Sequence, residues 1–181
     1  MGSSRHTTTP SGNRAVVAVA TAGLIAGSLD IASAFVLAGM KGRTPTWLLQ
    51  YVASGLVGAQ AFSGGFATAA LGALLHFLIA MGAAAVFYVS SRKLRILTER
   101  PVVGGLAYGV AVHAFMNLIV LPLSAATVRP TVSGVVTQLI IHMLLIGLPI
   151  SLIMRRSHPC LLPNYHDRSL RFQRQSGTRH R

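Results

Sequence analysis

"FATAALGALLHFLIAMGAAAVFYV", residues 66–89, decides the fold, because it carries no Lys, Arg, Asp or Glu and only one histidine, His76, near its middle. As a helix it would be about 36 Å long at 1.5 Å per residue, enough to cross a hydrocarbon core of about 30 Å. Three more apolar runs are also long enough to cross, at residues 15–40, 102–123 and 132–154, the first of them holding Asp30. The expected fold is an all-α integral membrane four-helix bundle.

Composition agrees. The 181 residues are 52% hydrophobic and only 10% charged, with a mean hydropathy of +0.59, which is wrong for a soluble core. Sixteen Lys and Arg stand against three acids, giving a formal charge of +13. A nucleic-acid binder of this charge would spread its basic residues over folded faces. Here they punctuate apolar runs, so no specific nucleic-acid partner is expected. Cys160 is the single cysteine, which excludes an internal disulfide and the common Cys-pair redox and zinc motifs.

Residues 47–63, "WLLQYVASGLVGAQAFS", are apolar but short, and only Gly64 and Gly65 separate them from the next span. They predict an interfacial or re-entrant helix anchored at the headgroups by Trp47 and Tyr51. With four spans and an inner N-terminus, Arg5, Arg14, Arg92, Lys93, Arg95, Arg100, Arg155, Arg156 and the tail arginines fall inside. Lys41, Arg43 and Arg129 fall outside, so both termini are expected in the cytoplasm. Residues 1–14 then form a cytoplasmic segment, 15–154 the membrane domain and 155–181 a basic cytoplasmic tail drawn to anionic lipids. Arg14 and "ASA" (residues 32–34) imitate a cleavable leader, but the apolar run continues through Phe35 to Leu37 and Asp30 interrupts it, so an uncleaved first span is expected.

Two halves repeat. "GLIAG" (23–27) matches "GLAYG" (105–109), "RTPT" (43–46) matches "RPT" (129–131), and "LLHFLIAMG" (74–82) matches "IIHMLLIG" (140–147). The expected arrangement is two parallel two-span repeats with the 47–63 helix inserted in the first.

Each span holds one ionisable residue near its midpoint: Asp30, His76, His113 and His142. Each sits on a stripe of small or polar residues at helical spacing that includes Gly23, Gly27, Gly72, Gly105, Gly109, Asn117 and Gln138. Small residues let helices approach in lipid, so these stripes should face inward and bring the polar groups together. Three readings of the cluster stand at this point: a network of interhelical hydrogen bonds, a proton or ion relay, or a metal or haem site built from His76, His113 and His142. No cofactor is required by any motif. Zinc-protease, serine-hydrolase, Walker and dinucleotide signatures are missing, so no catalytic residue is assigned and an enzyme is not expected. Ser28 reads as a helix-packing serine. Pro149 should kink the fourth span and free the Leu145 carbonyl, with Pro122 acting similarly in the third. Tyr88 and Tyr108 read as interface anchors.

"GLIAG", a His in each later span, "VHAFMNLIVLPLS" (112–124), "RPT" and the closing "RR" (155–156) together resemble the uncharacterised YagU-like family of bacterial inner-membrane proteins, over residues 23–156. The resemblance implies a bacterial inner-membrane location and a family without an established activity. His76, His113 and His142 match His positions expected there, whereas Asp30 has no clear match. The function expected is therefore a small accessory or scaffold membrane module, as a homo-oligomer or beside a membrane-complex partner. Proton or ion transport through the cluster is the alternative, and a metal- or haem-binding redox protein the second.

Overall fold

The computed structural model describes residues 10–94, 96–126 and 131–157, and these are all-α, with no strand among them. Most of the N-terminal segment, Arg95, residues 127–130 with Arg129, and the tail with Cys160 lie outside the described residues. Four helices are long and apolar enough to cross a membrane: Asn13–Met40, Gly65–Lys93, Pro101–Leu123 and Val132–Arg156. Their outward faces carry Leu24, Val36, Leu74, Leu78, Val86, Leu118 and Leu144, all exposed. Large apolar side chains outside and small or polar ones inside is the pattern of helices solvated by lipid.

The first and second spans pack antiparallel, as do the third and fourth, and the first span also lies along the fourth. The core at one end is made of Ala18, Ala22 and Ala26 from the first span, Ala84 and Phe87 from the second, and Ile146, Ile150 and Met154 from the fourth. Glycines set the closeness. Gly23 faces Met81, and Gly27 faces Phe77 and Ala80. In the other half Gly105 faces Gly147 and Leu148, and Gly109 faces His142 and Met143. The matched "GLIAG" and "GLAYG" segments thus receive matched segments of their partner spans.

The second and third spans meet chiefly through Tyr108. Its hydroxyl donates to the Ala83 carbonyl at 2.6 Å and its ring meets Phe87 edge-on at 4.9 Å. The sequence suggested an interface anchor there. Because the third span starts at Pro101, residue 108 already lies two turns inside the bundle, where its hydroxyl has a carbonyl to bond. Ser28 also differs from expectation: it is exposed and faces away from the packed stripe.

The first span ends in a Schellman turn, with Gly42 at φ 70 and Arg43 N–H donating to the Ala38 carbonyl at 2.9 Å. Thr44 then caps the next helix by accepting from Trp47 N–H at 3.1 Å. That helix was expected as one piece over 47–63. It is instead an α-helix, Pro45–Val57, and a 3₁₀ turn, Gly58–Ser63, because Gly58 leaves the α region at φ 67. It packs on the first turns of the second span, its Leu49 carbonyl so near Gly72 that a methyl group there would overlap it. Gln50 Nε2 donates to the Gly65 carbonyl at 3.0 Å, and the Gly55 carbonyl accepts from Ala125 N–H at 2.9 Å at the end of the third span. The helix therefore covers the end of the bundle where the first and third spans finish. Trp47 stacks there on Tyr51 and Phe62, under the Arg43 guanidinium 4.6 Å from its ring.

Both proline-bearing spans change helix type just before the ring. Met116–Val120 and His142–Gly147 are π-helical, with Leu121 N–H reaching back to the Met116 carbonyl and Leu148 N–H to the Met143 carbonyl. Pro122 and Pro149 have no N–H for the ordinary i−4 partner, and widening the turn upstream accommodates the ring. Asn117 and His142 each lie in one of these widened segments.

Candidate functional site

A chain of polar side chains crosses the bundle at mid-depth. Gln138 Nε2 donates to Asp30 Oδ1 at 3.1 Å, linking the fourth span to the first. The same nitrogen lies 3.4 Å from His142 Nε2, one turn along. His142 Nδ1 stands 3.2 Å from His113 Nδ1, which links the fourth span to the third. Asp30, His113 and His142 are buried, so these contacts supply the partners that burial denies them from solvent.

The donor pattern follows from the side chains. An amide nitrogen only donates, so one Gln138 N–H serves the carboxylate and the other serves His142 Nε2. A neutral His142 that accepts at Nε2 carries its proton on Nδ1 and donates it to His113 Nδ1. His113 then holds its own proton on Nε2. Asn117 Nδ2 donates to the His113 carbonyl at 2.9 Å. It also lies 3.3 and 3.5 Å from the two ring nitrogens, so it sits over the imidazole and not in line with either lone pair.

His76 takes a different partner. Its Nε2 lies 2.8 Å from the Gly27 carbonyl of the first span, within its own half, and its ring meets Phe77 edge-on at 5.3 Å. As the donor to a carbonyl, this Nε2 carries the ring proton. His76 remains within electrostatic range of Asp30 and His142. All four ionisable residues singled out from the sequence thus lie at one level, and Asn117 and Gln138 join them. Among the described residues His76 is hydrogen-bonded to this backbone carbonyl and not to another ring.

The metal set is not assembled. Among the described residues no three His, Cys, Asp or Glu side chains are grouped to hold an ion, because His76 is turned to the Gly27 carbonyl of its own half, away from His113 and His142. A haem iron held between His113 and His142 would need about 4 Å between their nitrogens, from metal–nitrogen bonds of about 2.0 Å each. The 3.2 Å contact leaves no room for it.

Two contributors were not singled out from the sequence. Gly147 lies so close to Gly105 that a methyl group would overlap the Gly105 carbonyl. Ser151 is fully buried and donates to the Pro101 carbonyl at 2.8 Å, tying the fourth span to the start of the third. A signal existed for the first, since Gly147 ends a repeated motif. None marked Ser151, one of many serines in an apolar helix.

Four apolar helices closed around a polar network define a multi-pass helical membrane protein. Comparison with protein-family models, with curated proteins and with solved structures finds no match for this chain.

Proposed function

We propose that the chain is an accessory or scaffold protein of the bacterial inner membrane, without enzymatic activity, whose mid-depth network holds its helices in register. The observation that carries this reading is the Gln138 amide. Its nitrogen donates to Asp30 on one side and faces His142 on the other, and a group that only donates cannot hand a proton onward. The carboxylate is thereby separated from the imidazoles by a bridge suited to holding helices together. Location rests on the resemblance to the YagU-like family and on charge. Arg14, Arg92, Lys93, Arg100, Arg155 and Arg156 belong to one end of the bundle, Lys41 and Arg43 to the other, which favours cytoplasmic termini.

A second reading, proton or ion movement, is supported by the His113–His142 contact, since two imidazoles 3.2 Å apart can exchange a proton. Liposomes loaded with a pH-sensitive dye separate the two. The accessory reading expects proton flux equal to protein-free liposomes for wild type and H113L alike, with a stoichiometric partner retained by mild-detergent purification after crosslinking. Flux above background that disappears in H113L would replace it with the transport reading. Protein purified without a metal-affinity tag is expected to be colourless and free of stoichiometric metal, checked by visible spectrum and elemental analysis.

A further inference from the structure

We infer that the groove between the start of the first span and the end of the fourth binds one anionic phospholipid. A cavity of about 490 Å³ opens there, with Arg14 and Arg156 entering from two different helices and Asn13 and Thr21 beside them. Arg14 and Arg156 both line this open groove, and guanidiniums present forked N–H donors that match phosphate oxygens. The described residues contain two acids, Asp30 and Glu99, and neither lines the cavity, so the positive charge there is not offset from its walls. The same cavity has apolar walls, Val17 from the first span and Ile153 from the fourth. A free phosphate would use only the arginines. A phospholipid uses both surfaces, with its headgroup on Arg14 and Arg156 and its acyl chain along Val17 and Ile153.

This site rests on the reading that the four helices span a membrane, which is tested separately by retention of the chain in carbonate-washed membranes. Native mass spectrometry in mild detergent then measures binding of phosphatidylglycerol, phosphatidylcholine and inorganic phosphate. Wild type is expected to retain one phosphatidylglycerol in preference to phosphatidylcholine. R14Q and R156Q should each weaken that binding about fivefold, and the double variant about 30-fold. R155Q, an exposed neighbour outside the cavity, should change nothing. Equal retention of the two lipids, or undiminished binding by the double variant, overturns the site even where the chain stays in washed membranes. Binding of inorganic phosphate that excludes phosphatidylglycerol makes the occupant a free anion and overturns the lipid assignment.

Discussion

Gly82 and Gly147 end the same repeated motif in the two halves and meet opposite surroundings. Nothing lies within 4 Å of a methyl group placed on Gly82, whereas one on Gly147 would overlap the Gly105 carbonyl. The motif holds one more residue between His76 and Gly82 than between His142 and Gly147, and one residue turns a helix by about 100°. In the first half Met81 takes the inward place and packs on Gly23. The histidines diverge in the same way. His142 meets His113 of its partner span, but the position matching 113 in the first half is Ile31, which offers no ring nitrogen. His76 bonds the Gly27 carbonyl instead. One motif therefore gives a close glycine-on-glycine contact with a side-chain network in the second half, and a looser contact through Met81 and Ala80 in the first.

The glycines break this comparison most sharply. Gly147→Ala should cost about 3 kcal/mol, the upper end for overpacking, because the obstacle is backbone. Gly82→Ala should cost nothing and gain at most about 1 kcal/mol of helix propensity. Equilibrium unfolding in detergent reads both. Equal effects would mean that the two halves pack alike.

Gln138→Leu comes next. It removes the donor facing both buried Asp30 and His142, and should cost about 2 kcal/mol by leaving buried acceptors without their partner. His76→Leu breaks a single bond to a backbone carbonyl, with an expected loss of about 1 kcal/mol in the same assay. A larger loss from His76→Leu than from Gln138→Leu would place the working centre in the first half. Tyr108→Phe should be mildest, about 0.6 kcal/mol, since Phe retains the ring contact with Phe87 and loses only the bond to Ala83.

These differences show what could be read from the chain. Run length gave the four spans, and the i, i+4 stripes gave their inward faces: Gly72, Ala80 and Ala84, then Gly105, Gly109 and His113, are all buried. Depth alone placed Asp30, His76, His113 and His142 at one level, because equal distance from a helix midpoint is a count of residues. Which ring meets which depends on rotation about each helix axis. That rotation is altered by the π-helical turns before Pro122 and Pro149: the prolines mark where each helix must depart from α geometry, but not that it does so by widening a turn. Tyr108 was misplaced for a related reason, since its role depends on what the second span presents to it. Gly58 shows the limit of composition: an apolar run of helix formers is divided by one residue at φ 67.

The central claim is that His113 and His142 hold the third and fourth spans together. A double-mutant cycle on H113L, H142L and the pair, followed by unfolding in detergent, tests it most directly. A favourable coupling between about 0.6 and 1.7 kcal/mol is expected, the range for interhelical hydrogen bonds in membranes. Strict additivity of the two substitutions would contradict the claim and leave the 3.2 Å contact without a structural role.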